Sequence, residues 1–571
     1  MTLDVRRAGD DALLVDAGSL DGALAVLGAL SDAVRLGQLS VTELIPAART
    51  VLVRGASEQT DPGAFREYVA GLLAERSAGS AQQMSPEVTT IDVVYTGQDL
   101  AAVAELTGLS IDDVVELHTA SRFTVAFTGF APGFAYLSGG DQRLTVPRRS
   151  TPRPRIPAGS VGLAGEFSGV YPRQSPGGWQ LIGHTEHPMW DLSREQPAAL
   201  VPGAEVRFRA VREQLNTASA TASAAAPNST TTPTEAATQA AAAQQADPQL
   251  LATNHPALTV LNPGLQSLVQ DEGRPGQGHL GVSASGAADR GALARANRLV
   301  GNPAGAAALE LRFGDFSARA ETTLVAALTG APRKATARGP LGTRELPFGA
   351  PFRLTEGETL DLAAAERGVV TTLALRGGVV APEVLGSVSR DTLAGLGPEA
   401  LAAGDLVSVG VGRGLQAVRE SLGDDPRLAA SGDLVTLGIV LGPRDDWFSR
   451  DSLERLTTQE WLVTPRSDRV GVRLEGEALE RSPQHEGLEL PSEGLVTGAI
   501  QVPPDGQPVL FHADRPLTGG YPVIGVVRAA DLDSVAQLPP GVRVRFALVD
   551  PAKISGPGRP TPTPSTKESS Q

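Results

Sequence analysis

The chain of 571 residues contains no cysteine. Disulfide frameworks, thiol nucleophiles and cysteine metal sites are thereby excluded, and a reducing compartment is compatible with the sequence. Lysine is nearly missing, with Lys334, Lys553 and Lys567 alone, so arginine supplies almost all of the positive charge. No apolar run approaches the roughly 18 residues needed to span a bilayer, and no apolar segment follows Arg6 and Arg7 as a secretory leader requires. A formal net charge of -15 argues against a nucleic-acid or anionic-membrane partner, since either asks for a basic face. The expectation is a cytoplasmic globular protein. No Gly-x-x-x-x-Gly-Lys occurs, so a P-loop is absent. Gly281-Val282-Ser283-Ala284-Ser285 lacks the last glycine of a nucleophile elbow.

What the chain does contain is a repeated phrase. Ser175-Pro176-Gly177-Gly178-Trp179 leads into an apolar strand, and Thr518-Gly519-Gly520-Tyr521 does the same much later. Each is followed by a proline-glycine turn and a basic-apolar strand, at Pro202-Gly203-Ala204-Glu205-Val206-Arg207-Phe208 and Pro540-Gly541-Val542-Arg543-Val544-Arg545-Phe546. Adjacent glycines permit positive φ and close backbone approach. Two copies in one order predict two related β domains.

Residues 1–86 read as a small α+β domain, with apolar residues at helical spacing over 20–31 and 62–76 and an Asp61-Pro62 helix start. An alternating strand opens 87–212, followed by helices over 99–107 and 110–120, the second with Ser110 and Asp113 loosely placed as a capping box. From 124 to 208, short apolar runs broken by Gly and Pro predict a compact β barrel or sandwich. Residues 213–256 hold few large apolar side chains and are expected to be a flexible linker, as is the tail 556–571 to be disordered. The second folded unit, 257–555, contains a helix over 289–300 stopped by Gly301-Asn302-Pro303.

Four arginines, Arg148, Arg149, Arg153 and Arg155, stand among prolines in an otherwise acidic chain. Such a loop either pairs with acidic neighbours or captures a carboxylate or phosphate. Gly129-Phe130-Ala131-Pro132-Gly133-Phe134-Ala135-Tyr136 concentrates aromatics where they serve as core or as a pocket wall. Ser467-Asp468-Arg469, Gln501 and Asp514-Arg515 place polar groups beside glycine turns, either as structural pairs or as a site.

With 129–136, 146–160 and 171–185 taken together, residues 1–210 resemble the B subunit of bacterial ATP-dependent 5-oxoprolinase. The text at 270–274, 281–289, 467–474 and 492–521 makes residues 257–550 similar to the C subunit. The same pair of modules resembles the carboxyltransferase part of urea carboxylase. The resemblance implies a mainly β chain with α+β parts, and cyclophilin-like β barrels in both halves. It implies ATP as co-substrate, accompanied by magnesium, and 5-oxoproline as small-molecule substrate. The implied partner is the separate 5-oxoprolinase A subunit, and no biotin is attached to this chain. Self-association is left open. The expected site residues are His184 and Asp514 for acid–base work. Arg148, Arg149 and Arg155 are expected to hold anionic groups, with Gly177 and Gly178 lining the first pocket. Arg469, Gln501, Thr518, Gly519, Gly520 and Tyr521 are expected to line the second. Two departures from the family pattern stand at Gly386-Ser387-Val388-Ser389-Arg390 and at 396–401, which lacks arginine. Competing expectations are a regulator binding a histidine kinase, since relatives of the first half include an inhibitor of one and relatives of the second its antagonist, and a biotin-dependent carboxyltransferase.

Overall fold

The computed structural model describes residues 3–56, 61–78, 88–149, 151–212, 255–411, 415–420 and 428–550. The expected linker, apart from His255 and Pro256, and the expected tail lie outside the described residues.

Near the N-terminus four antiparallel strands, β1 (Asp4–Arg7), β2 (Ala12–Asp16), β3 (Glu43–Pro46) and β4 (Thr50–Arg54), pair in the order β1-β2-β4-β3. Helix α1 (Leu20–Arg35) is capped by the Ser19 hydroxyl, which accepts from Gly22 N at 3.2 Å, and buries Val26, Leu30 and Ala33 from one face. Helix α2 (Pro62–Ala78) starts where Asp61 Oδ1 accepts from Ala64 N at 2.7 Å. Both helices run a few residues past their expected ends.

The first barrel comprises β5 (Val88–Val93), β6 (Phe123–Thr128), β7 (Ala135–Ser138), β9 (Ser160–Ala164), β10 (Phe167–Val170), β12 (Gln180–His184) and β13 (Glu205–Ala210). A short ribbon of β8 (Arg153–Ile156) and β11 (Ser175–Gly177) lies beside it. The strand order is β12-β9-β10-β7-β6-β13-β5, and a bridge from Val94 to His184 brings the two edges together. Between β5 and β6 run α3 (Leu100–Thr107) and α4 (Ile111–Ala120). The Ser110 capping box is complete: its hydroxyl accepts from Asp113 N at 3.1 Å, and Asp113 accepts from Ser110 N at 3.2 Å.

The middle of the chain forms two layers. One sheet orders β20 (Gly342–Leu346), β19 (Ala335–Gly339), β22 (Thr359–Leu362), β17 (Phe316–Ala320), β14 (His255–Asn262), β25 (Leu406–Val409) and β24 (Val379–Val380). The other orders β15 (Gln266–Gln270), β16 (Ala308–Arg312), β23 (Val370–Leu375), β18 (Leu324–Gly330) and β21 (Pro351–Leu354). Their inward residues, such as Leu258, Leu309, Leu328 and Leu360, make one apolar core. The helix Arg290–Val300 ends at Gly301 with φ 75°, the left-handed stop its sequence predicts.

The last unit is a closed barrel of β26 (Leu434–Leu441), β27 (Trp461–Val463), β28 (Gly471–Glu475), β30 (Ala499–Gln501), β31 (Val509–Phe511), β33 (Val523–Val527) and β34 (Arg543–Leu548). A ribbon of β29 (Glu493–Gly494) and β32 (Thr518–Gly519) accompanies it. Its order, β26-β33-β30-β31-β28-β27-β34, repeats that of the first barrel strand for strand. In each barrel the last strand runs parallel to the first, β13 beside β5 and β34 beside β26. The turn before each last strand places its glycine, Gly203 or Gly541, at φ 88°. The repeated phrase therefore marks two barrels of one topology, and the second half of the chain adds a two-layer unit that the phrase does not announce.

Two segments of the two-layer unit act as straps between the barrels. The first, 271–289, gives Gly278 O to the Thr128 hydroxyl (2.9 Å) and Leu280 O to Gly133 N (3.0 Å). Further along it reaches the second barrel, where Ser285 Oγ donates to Asp514 and Gly286 O accepts from Arg469, each at 2.6 Å. The second, 384–396, gives Leu393 O to Arg173 of the first barrel, while Thr392 N and Oγ1 donate to Asp514 of the second. Each strap thus touches loops of both barrels.

Candidate functional site at the barrel junction

Where the straps cross, ionisable side chains are withdrawn from water. Asp514, in the loop between β31 and β32, is 0% exposed. It accepts from Ser285 Oγ (2.6 Å), Thr392 Oγ1 (2.6 Å), Thr392 N (2.9 Å), and Arg469 Nε and Nη2 (2.9 Å each). These donors fill a carboxylate's acceptor capacity. Burial by itself raises the Asp514 carboxyl, but the Arg469 guanidinium and the hydroxyl donors outweigh it and hold the group below its ordinary range. Arg469 is also paired with Glu310 of the two-layer unit. Asp514 is consequently a fixed anion that ties both straps to the barrel. Ser285 reaches it from φ 53°, a region that side chains with a Cβ seldom occupy.

Asp391, on the second strap, is held differently. It accepts from Ala394 N (2.7 Å) and Ser283 Oγ (3.4 Å), and burial with the adjacent Asp514 charge pushes its carboxyl up to about 6. Two carboxylates whose environments drive them apart are the usual foundation of acid–base work, one staying ionised and the other exchanging a proton near neutral pH. Sequence reasoning nominated Asp514 and passed over Asp391. The available signal was its place beside the departure from family pattern at 386–390, in the polar run Ser389-Arg390-Asp391-Thr392.

The other nominated residues fall into three groups. Gln501, Thr518, Gly519, Gly520 and Tyr521 come together at the second barrel's mouth. Gln501 Nε2 donates to Tyr521 O at 2.9 Å, and a Cβ on Gly519 would stand 2.7 Å from that same nitrogen. Thr518 packs against Gly129 in the aromatic loop of the first barrel. Gly177, Gly178 and Arg149 form a second group: Gly178 O accepts from Arg149 N at 2.8 Å, and Tyr171 lies against Gly177. Arg149 Nη1 and Arg153 Nη2 both donate to the buried carboxylate of Asp99, at 2.9 and 2.7 Å. Half of the arginine loop therefore pairs with an acidic neighbour, while Arg148 and Arg155 are exposed. The aromatics beside them, Phe134, Tyr136, Tyr171 and Trp179, pack edge to face as one buried cluster. His184 stands by itself at the end of β12, with Nε2 2.7 Å from Glu186 Oε1 on the surface.

A cavity of 650 Å³ lies elsewhere, between α1 and the first barrel, walled by Asp21, Phe123, Leu163, Glu166, Phe167 and Ser168. Behind it Ser168 Oγ is 2.8 Å from His118 Nε2, whose Nδ1 is 2.7 Å from Tyr95 O–H. The arrangement resembles a nucleophile relay, yet the proton positions that satisfy every group run the other way. Tyr95 donates to Nδ1, Nε2–H donates to Ser168, and Ser168 donates to Gly162 O at 3.4 Å. The serine spends its proton on a carbonyl and is not activated.

The chain matches the carboxyltransferase-domain models, subdomains C and D over residues 3–200 and subdomains A and B over 280–548. It is 34% identical over 292 residues to the 5-oxoprolinase C subunit of Escherichia coli, covering 51% of this chain and 90% of that protein. Over 133 residues it is 49% identical to a 5-oxoprolinase B subunit of Escherichia coli, covering 22% of this chain and 61% of that protein. The crystal structure of TTHA0988 superposes with a TM-score of 0.76 at 32% identity, covering 95% of this chain and all of that one. The chain belongs to the carboxyltransferase-domain family, with a region similar to the 5-oxoprolinase B subunit followed by one similar to the C subunit.

Proposed function

We propose that this chain is the joined B and C component of an ATP-dependent 5-oxoprolinase, opening 5-oxo-L-proline to L-glutamate with a separate A subunit. The observation that carries this reading is the shared junction. Side chains of the B-like region and of the last barrel bond to the same two straps of the two-layer unit, as independently acting regulators would not require. Joining the two regions in one chain fixes their stoichiometry, which favours one joint active site.

A lactam is a poor electrophile. Phosphorylating its oxygen, with release of ADP, makes the ring carbon electrophilic. Water then adds, the ring C–N bond breaks with the nitrogen leaving as the amine, and hydrolysis of the resulting acyl phosphate frees phosphate. These steps need fixed positive groups for the developing charge and a residue able to accept a proton. The arginines and glycine N–H groups of the junction suit the first need without a P-loop, and Asp391 suits the second. Magnesium would arrive with the nucleotide; among the described residues no group of three His, Asp or Glu is arranged to hold a metal.

The test combines the purified chain, an A subunit, ATP and 5-oxoproline. Glutamate and ADP should form together, and neither should form without the chain. Absence of turnover with an A subunit shown to work with another B–C pair rejects the reading. The carboxyltransferase-domain match favours one competitor, carboxyl transfer from a separately carried biotin. Consumption of a carboxybiotin carrier in place of ATP would support that instead.

A further inference from the structure

Three guanidinium groups at the junction lack the partners that burial demands. Arg515, in the second barrel's β31–β32 loop, is 2% exposed, yet its described bond is Nη1 to Pro516 O at 3.3 Å, and its Nε is buried without an acceptor. Arg274, on the first strap and 1% exposed, donates Nε to Val384 O (3.2 Å) and Nη2 to Ser389 O, leaving Nη1 buried and unpartnered. Arg173, in the first barrel's loop between β10 and β11, donates to Leu393 O and leaves its Nε buried without an acceptor. All three feel the charge of Asp391. Among the described residues none of the three forms a salt bridge.

The neighbouring carboxylates are bonded to other groups. Arg469 is committed to Asp514 and Glu310, and Arg54 to Glu43. Asp271, which also acts on Arg274, spends its oxygens on Ser387 Oγ, Ser389 Oγ, Val388 N and Gly273 N. Asp391 and Asp271 are thus the nearby carboxylates that no described arginine pairs with, and neither forms a salt bridge with the three guanidinium groups. Burial drives the Arg515 guanidinium down to about 9 and lowers those of Arg274 and Arg173. A buried guanidinium N–H left without an acceptor costs free energy that a bound oxyanion would recover.

We propose that Arg515, Arg274 and Arg173 form a binding site for a small oxyanion, a carboxylate or a phosphate, at the junction of the two barrels. Guanidinium forks suit either, because both present paired oxygens to parallel N–H donors. The site is assembled from both barrels and a strap, so an anion bound there joins the B-like and C-like regions. The proposal needs neither a partner protein nor turnover, and it stands or falls separately from the 5-oxoprolinase reading.

The test is calorimetric titration of the full chain with inorganic phosphate and, separately, with L-5-oxoproline, at ionic strength held constant with chloride. At least one probe should bind saturably, with one site per chain. A response to phosphate identifies a phosphoryl group as the natural occupant, and a response to 5-oxoproline a carboxylate. Arg515→Lys, which keeps the charge but loses the fork, should weaken binding about tenfold or more. Arg515→Met should abolish it and, by removing a buried guanidinium whose Nε has no acceptor, raise the melting temperature of the anion-free protein. If Arg515→Met does not fold, Arg274→Gln serves as the second variant and should weaken binding likewise. No saturable binding of either probe to the unaltered chain, or undiminished binding by Arg515→Lys and Arg274→Gln, overturns the proposal.

Discussion

His118 lies between Tyr95 and Ser168, stacked on Phe208 with ring centroids 4.4 Å apart, and burial pushes its pKa down to about 3. His512 is driven to about 3 as well, by burial and then by Arg469 and Arg312. An unfolded histidine takes up a proton near pH 6.5, whereas these two do not until far lower. The unfolded chain thus binds more protons in between, so stability is lost as pH falls from about 6.5 toward 3. Asp289 and Asp391, raised to about 6 chiefly by burial, act in the opposite sense as the pH falls from about 7 toward 4, because their folded carboxyls protonate first. The carboxyl contribution is common to the unaltered chain and to a histidine variant, so their difference between about pH 7 and 5 isolates the histidine. His118→Gln should cost about 1–3 kcal/mol at pH 7 through its lost bonds and packing. Urea unfolding should show a shallower loss of its stability than the unaltered chain's as the pH is lowered through that window. Equal slopes would rule out His118 as the source. Arg469→Met is expected to cost about 3–5 kcal/mol, because it strands Asp514 and Glu310 in the interior. A change below about 1 kcal/mol in the same assay would contradict the account of Asp514 as a fixed anion.

The first strap depends on its glycines. Gly281 sits at φ 76°, and a Cβ there would stand 2.9 Å from Ala131 O of the first barrel. Gly281→Ala should cost about 1–2 kcal/mol for the left-handed backbone alone, and more for the displaced contact. Gly203→Ala offers the comparison: φ is 88°, but nothing lies within 4 Å of the added methyl, so strain alone applies. Hydrogen exchange separates the two. The Gly133 amide, which donates to Leu280 O, should lose protection in Gly281→Ala and keep it in Gly203→Ala. At this scale the sequence was most legible for helices. The periodic apolar face of α1, the Asp61-Pro62 start of α2 and the Gly301 stop are local signals, decided within a few residues. Straps carry no such period, and in the sequence 270–274 and 281–289 stand out as text shared with the C subunit, with no contact across the barrels to be read from them.

The N-terminal sheet and the last barrel share an apolar seam, in which Leu14, Ile45 and Leu52 pack with Leu495, Phe511 and Val523. Arg444 closes it, paired with Asp16 of β2 and with Glu493 of β29. Regions whose relatives are separate subunits are thus held together by packing as well as by the chain. A protease site inserted within 213–254 and then cut should leave both pieces migrating as one particle in gel filtration. Arg444→Met should make the cut protein separate at lower urea, by about 3–5 kcal/mol, since two buried carboxylates lose their cation. Separation of the cut protein without denaturant would show that the connection, and not the seam, holds the halves together.

By itself the sequence determined the mainly β character, the duplication and the family, because strand patterning, the glycine turns at Gly203 and Gly541, and long motifs are written in contiguous residues. It also brought Arg469, Asp514 and the 518–521 turn into view as polar groups beside glycines. Only the tertiary structure decided which polar groups face one another. Arg149 and Arg153 met Asp99 from 50 and 54 residues away, which diverted half of the most conspicuous arginine loop to pairing. Asp391 and Arg274 came to the junction from strap segments with no periodicity to betray them. The ionisation of a side chain depends on burial and on neighbours distant in sequence, so the division between Asp514, held ionised, and Asp391, raised to about 6, exists only once the two barrels and both straps are in place.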